Sequence, residues 1–316
     1  MLARKIIRLG NSSYAIALPK EWIKKSELDK GDYLTVIQQT TGELTISPSV
    51  KKDSIKTKNF DFSHKNIEEI KRELFGAYIQ DYNIFDIKIT KEKKKLVKQL
   101  LKGVTNFEIV EETDDKIRAK DFFRLEEINV DNHVRRIEHS TQSLFDEVRN
   151  FLLSDKPSEE SLAEIREIEN DVDIFTALLT RIFFKGMNNP SFLINLKKDS
   201  ISIFNNWWLV FNLEYIVDNL CKIAEIKKEN PSLAIPEQVI KTFNAIHENY
   251  NLCMDAFYKN DKQYAVNVIN KRPVLKDMSR DCMSSSNRHI KKFAENLMEI
   301  DVTIEKINKV VLYNLM

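Results

Sequence analysis

Apolar and polar residues alternate in short runs at the start of the chain and give way to long helical stretches later. "RKIIRLG" alternates, Gly10-Asn11 reads as a turn, and "YAIAL" alternates again, which predicts a small hairpin. "PKEWIKKSEL" predicts a short helix with Pro19 at a first-turn position. "KGDYLTVIQQ" and "TTGELTISP" predict a second strand pair that stops at Pro48. The Lys-rich polar stretch that follows is expected to be a linker over 51–61.

From 62 to 121 the pattern is mixed. "SHKNIEEIKRELFGAYIQ" predicts a helix capped by Ser63, "YNIFDIKI" a strand, and "TKEKKKLVKQLLKG" a helix ending at Gly103. "FEIVEE" and "KIRAKDF" pair as a hairpin, so this segment is expected to be a small α+β connector. Residues 122–316 read as six long helices: about Leu125 to Ser154, Pro157 to Gly186, Phe192 to before Pro231, Pro236 to Asn260, a fifth capped by Asp261 and interrupted by Pro273, and a sixth after "SSSN". Glycine usage supports the division. Three of the six glycines fall within the first 42 residues, while Phe123 to Met316 holds Gly186 alone, as an all-helical region requires. The fold class is therefore mostly α with an N-terminal β domain (residues 1–50), a linker, the connector and the helical domain.

Charge changes this picture in one place. The 316 residues carry 49 Lys and Arg against 48 Asp and Glu, a net charge of +1, so the whole molecule is no polycation. Residues 1–25, however, hold six cations (Arg4, Lys5, Arg8, Lys20, Lys24, Lys25) against Glu21, a local net of +5 suited to phosphates. Cys221, Cys253 and Cys282 show no close pairing, which is expected of reduced thiols. The longest charge-free stretch, Ser200 to Leu213, is too short to span a bilayer, and the basic N-terminus has no apolar run behind it. A cytoplasmic protein without membrane spans is expected.

Phosphate loops, His-Glu-x-x-His, Cys-x-x-Cys and Gly-x-Ser-x-Gly are all missing, and the five histidines are scattered. No enzyme is expected. Acidic pairs stand out instead. "EIENDVDIFTAL" places Glu169 and Asp173 four apart, with Glu167 and Asp171 as a second pair on the far flank. "LEYIVDNLCKIAE" does the same with Glu214 and Asp218, and Glu225 lies beyond. Residues i and i+4 share a helix face, so two such helices facing each other offer four carboxylates to one cation. Spacing alone leaves open both that site and an ordinary solvated acidic face.

This region resembles the PhoU family of phosphate-uptake regulators over roughly residues 122–316. "IENDVD" looks like the family's acid-x-x-x-Asp motif, and Leu213, Glu214, Ile216, Asp218, Ile223, Ala224 and Glu225 match its second copy. The resemblance implies two tandem three-helix bundles and makes Glu169, Asp173, Glu214 and Asp218 candidate ligands of a divalent or iron-type metal ion. The second half departs from the motif: Lys271, Leu275, Met298 and Val302 fall where acids belong, so at most one metal site is expected, in the first bundle.

The opening stretch, about residues 3–48, resembles the AbrB/MazE/SpoVT module through "GNSSYAIALPKEW", "LDKGDYLTVIQ" and "LTISP". That resemblance implies a barrel of hairpins swapped between two copies, hence a homodimer, with DNA held by the first strand and turn. Its candidates here are Arg4, Lys5, Arg8, Asn11, Ser12, Ser13 and Lys20. The two resemblances together imply a DNA-binding transcriptional regulator of phosphate homeostasis. The alternative is a PhoU-like negative regulator that contacts a phosphate ABC transporter ATPase or a sensor kinase, its N-terminal module serving only dimerisation.

Overall fold

The computed structural model describes residues 3–38, 42–48, 55–103, 107–154 and 157–314. The chain divides into two compact units, residues 1–55 and 56–316.

The first unit holds two separate antiparallel strand pairs. β1 (Ile7–Leu9) pairs with β2 (Ser13–Ala15), Arg8 opposite Tyr14, and Gly10 makes the turn at φ 67°, where a side chain would be strained. α1 (Lys20–Lys25) follows, with Pro19 at the N-cap, one residue before the expected helical position. β3 (Leu34–Gln38) then pairs with β4 (Leu44–Pro48), which ends at the expected proline. Not one described residue of this unit is buried; Ile6, Tyr14, Tyr33 and Leu44 are all largely exposed. A β module with this much apolar surface has no core within one copy.

The second unit begins where a linker was expected. Residues 51–54 lie outside the described residues, but Thr57–Asp61 forms β5, because Phe60 is buried and the strand pairs in parallel with β6 (Ile84–Lys88). Between them runs α2 (Ile67–Ile79), capped by Asn66 and not by Ser63. The Asn66 side chain accepts from Glu69 N while the Glu69 carboxylate accepts from Asn66 N, a reciprocal box that satisfies two free donors. α3 (Lys94–Gly103) and the hairpin of β7 (Phe107–Glu112) and β8 (Lys116–Asp121) complete a four-stranded sheet of order β5-β6-β8-β7. Its inner face (Phe60, Phe85, Ile87, Ile117, Ala119) packs on Ile70, Leu74, Tyr78, Val97 and Leu101 of the helices. Its outer face is polar, with Arg118 gripping Asp86 directly opposite through two hydrogen bonds of 2.7 and 3.0 Å.

The helical region comprises α4 (Val130–Leu153), α5 (Glu159–Asn188), α6 (Pro190–Asn195), α7 (Ser200–Glu229), α8 (Glu237–Lys259), α9 (Lys262–Met283) and α10 (Arg288–Asn314). α4, α5 and α7 pack together, as do α8, α9 and α10, and the two groups meet along α7 and α10. Two boundaries differ from expectation. The third helix is broken: Lys197 adopts φ 55° and Asp199 caps a fresh helix at Ser202 N, so α6 is a separate turn. Pro273, conversely, does not interrupt α9; the residue is exposed, as is Ile269, whose carbonyl loses its partner to the missing N–H. Among the described residues no helix is long and apolar enough to cross a membrane.

A buried ion cluster ties the sheet to the bundle. Arg181 of α5 is 1% exposed; its Nε and Nη2 donate to Asp81 Oδ1 at 2.9 and 2.7 Å, and its Nη1 lies 2.6 Å from Asp121 Oδ2. Tyr78 covers the guanidinium at 4.8 Å, and Lys185 reaches Asp81 at 3.4 Å. Ala177, one turn earlier on α5, belongs to the sheet's own core. Removing one partner of a buried pair strands the other charges, so Arg181→Leu is expected to destabilise the second unit by about 3–5 kcal/mol in urea unfolding. Arg181→Leu with Asp81→Asn and Asp121→Asn is expected to recover part of that loss.

Candidate metal centre and nucleic-acid interface

α5 and α7 run antiparallel, as three contacts in opposite order show: Arg166 with Glu225 at 3.5 Å, Glu169 with Cys221, and Phe183 stacked on Trp207 at 4.6 Å. Between the last two levels α5 presents Asp173, and α7 presents Glu214 and Asp218, one turn apart on the same face. One ligand oxygen from each lies within 4.8 Å of the others. The i,i+4 spacing puts Glu214 and Asp218 side by side, and the helix pairing brings Asp173 to them.

Electrostatics follows from the crowding. Desolvation against the α5–α7 seam, then repulsion from Asp218 and Asp173, pushes Glu214 up to about 7. Asp173 rises to about 6 although it reaches solvent, from desolvation and then from Asp218 and Glu169. Asp218 is raised by desolvation, which Lys222 partly opposes. Glu169 is raised too, first by desolvation and then by Asp218, but it stands one turn along and bonds the Cys221 thiol. Of the four sequence candidates, then, three converge and Glu169 flanks them. A carboxylate trio with oxygens this close suits a hard or borderline cation, and without one its members take up protons at higher pH than free carboxylates do. The second acidic pair plays no part: Asp171 faces Arg136 of α4 at 3.4 Å, and Glu167 is exposed.

Sequence reasoning missed Cys221, although its position three residues after Asp218 places it on the same side of α7. It also missed the second bundle's answer to the lost motif. There Lys271 pairs with Glu248 at 3.5 Å and Leu275 is buried. A buried carboxylate is still present, at Asp301, where desolvation raises it to about 6 against the pull of Arg272. Arg272 itself is paired with Glu305. Among the described residues, one group of metal-ligating side chains is found, and it is in the first bundle.

In the first unit, Arg4 and Lys5 precede β1, Arg8 lies on it, Asn11 and Ser12 form the turn, Ser13 opens β2 and Lys20 opens α1. All seven are exposed, and Arg8 Nη2 donates to Asn11 O at 3.2 Å, which holds the arginine over the turn. None of the four cations pairs with a described carboxylate. Free cations beside a hairpin turn with small hydroxyl and amide side chains suit contact with a phosphate backbone.

The family described as antidote-toxin recognition MazE, bacterial antitoxin, matches residues 7–54. The segment is thus similar to a MazE/AbrB-type domain, a kind of module that suggests DNA binding. No curated protein matches the chain, and no solved structure does.

Cation binding at the centre must displace the protons held by Glu214 and Asp173. Calorimetric titration with Mn²⁺ or Zn²⁺ is therefore expected to show affinity rising from pH 5.5 to 7.5, with protons released. Asp218→Asn is expected to weaken binding by about tenfold or more.

Proposed function

We propose that this chain is a DNA-binding transcription regulator of phosphate uptake, built from a MazE/AbrB-type domain and a PhoU-like helical body that holds one metal ion. The observation that carries the DNA-binding part is the first unit: exposed Arg4, Lys5 and Arg8 beside a hairpin turn, in a module where no described residue is buried. A module without a core is completed by a second copy, and duplication doubles the cationic face. The homodimer and the swapped barrel belong to this reading. So do Asn11, Ser12, Ser13 and Lys20 as further backbone contacts.

The phosphate part rests on the resemblance of "IENDVD" and "LEYIVDNLCKIAE" to the PhoU motifs. The convergence of Asp173, Glu214 and Asp218 supports it, since these are three of the four positions the motifs name. Glu169, the fourth position, flanks them and is bonded to the Cys221 thiol. We read the centre as a sensor and not a catalyst, because its neighbours are carboxylates, Cys221 and Lys222, with no histidine placed as acid or base.

Gel-shift titration on the chain's own promoter region, at stated salt, tests the reading. Wild type is expected to bind with a steep salt dependence. Arg4→Ala with Arg8→Ala is expected to weaken binding by about 10–100-fold at 0.15 M salt and to flatten the salt slope, since each lost phosphate contact removes about 0.9 from it. Equal binding by the variant contradicts the strand-one interface. In the rival reading the module only joins two copies, and the helical body docks on a phosphate transporter's ATPase or a sensor kinase. That arrangement retards no DNA at all.

A further inference from the structure

A denser positive charge than that of the first unit lies on the second. Residues 88–102 hold seven lysines against one acid, Glu92, a local net of +6 in fewer residues than the +5 of residues 1–25. The turn Lys91–Lys93 runs straight into α3, whose Val97 and Leu101 are buried in the sheet's core. Lysines at 91, 95, 98 and 102 follow steps of three and four, so they share the side of α3 turned away from that core, over about 16 Å.

The acids on the elements around α3 are mostly engaged elsewhere. Glu112 of β7 is shared by Lys98 at 2.6 Å and Lys94 at 3.7 Å. On α2, Glu68 pairs with Lys71 and Glu73 with Lys65, while Glu69 closes the cap at Asn66. Glu108 and Glu111 stand opposite Lys120 and Arg118 across the sheet. In the β7–β8 turn Asp115 accepts from Thr113, and Asp114 beside it is exposed. Some of the lysines are engaged too. Lys93 donates to the carbonyls of Phe62, Ser63 and Lys65, Lys94 to that of Thr113, and Lys88 pairs with Asp61 at 3.3 Å. Lys91, Lys95 and Lys102 remain: all three are exposed, and none makes an ion pair with a described residue.

The chemistry of this face selects its partner. Like charges four residues apart on a helix repel, as at 91 and 95, 94 and 98, and 98 and 102, and a polyanion relieves that repulsion. No residue of 91–103 is an exposed large hydrophobic side chain, so a lipid surface finds no apolar anchor. The line also has no arginine, whose fork would suit a shaped carboxylate ligand. Ammonium groups spread along a helix suit a regular row of charges, and one strand of duplex DNA carries a phosphate about every 3.4 Å of its axis. We propose that the lysine face of α3 is a second nucleic-acid contact, with Lys91, Lys95 and Lys102 on the phosphate backbone of duplex DNA and no reading of its bases. It stands independently of the contact proposed for the first unit, and two such contacts on one chain reinforce each other through effective concentration.

Fluorescence anisotropy of the full chain, titrated over a range of KCl onto promoter DNA and onto a scrambled duplex of equal length, tests this. Lys91→Gln with Lys95→Gln and Lys102→Gln is expected to lower the slope of log affinity against log salt by about 2–3, since each phosphate contact contributes about 0.9. Affinity at 0.15 M salt is expected to fall about tenfold or more on both duplexes alike. A control with the same loss of charge, Lys262→Gln with Lys276→Gln and Lys291→Gln, removes three exposed lysines of the second bundle and is expected to leave slope and affinity unchanged. An unchanged slope in the α3 variant overturns the proposal, and so does an equal loss in the control, which marks an effect of net charge alone. Loss of binding to phosphatidylserine vesicles by the α3 variant, with its DNA slope intact, also overturns it and marks a membrane contact. The two DNA contacts fail separately. Weakening by Arg4→Ala with Arg8→Ala alone leaves only the first-unit interface standing, and weakening by the α3 variant alone leaves only this one.

Discussion

The Arg181 cluster is the interaction on which the second unit depends. One guanidinium, almost wholly out of water, answers Asp81 in the turn after α2 and Asp121 at the end of β8, under the ring of Tyr78. Apolar packing alone tolerates sliding, but a buried ion pair has one satisfactory geometry, since a charge left unmatched in the interior costs several kcal/mol. The left-handed backbone at Asp81 (φ 62°) is part of the same device, turning the carboxylate toward α5. The sheet is thereby a fixed attachment of α5. Asp173 lies eight residues earlier on that helix, about 12 Å away. Further along α5, a Cβ added at Gly186 would run into the Leu193 side chain, so α6 closes tightly over the helix end.

The carboxylate centre carries the opposite electrostatic problem. At Arg181 a cation is matched by two acids within the fold. At Asp173, Glu214 and Asp218 three acids share the opening with only Lys222 among the cations acting on them. The raised positions of Glu214 and Asp173 express that imbalance, which protons relieve at low pH and a bound cation would relieve at neutral pH. The second bundle resolved the same problem internally, with Arg272 beside Asp301 and Glu305. One bundle is thus self-neutralised and the other is left responsive to its surroundings.

Much of this was legible in the residues, and the exceptions have identifiable causes. The long helices announced themselves through caps such as Ser158 and Asp261 and through scarcity of glycine, and the hairpin at Gly10 through its turn residues. β5 was hidden because its lysine and polar residues look like a linker, and only Phe60 betrays the buried face. The break before α7 escaped notice because Lys197 in a left-handed conformation has no sequence signature, whereas Asp199 as a cap was there to be seen. Ser63 was preferred to Asn66 although only Asn66 has Glu three residues on. At the site, i,i+4 spacing puts Glu214 and Asp218 on one face of α7. Which of Glu169 and Asp173 meets them depends on the relative height of α5 and α7, which is set by packing and by Arg166–Glu225 and Phe183–Trp207. The joint through Arg181 could not be read at all, since its partners lie 60 and 100 residues away in sequence.

If the first unit binds DNA and the helical body answers to a metal ion, as proposed, the two sites on one chain are linked through binding. Two coupled sites must each alter the other's affinity by the same factor. Fluorescence anisotropy of labelled promoter DNA, titrated with the full chain in EDTA and again in saturating Mn²⁺ at one ionic strength, measures that factor. A change in Kd of about fivefold or more is expected on adding metal, absent in Asp218→Asn. Identical DNA affinity of the wild type with and without metal would contradict it.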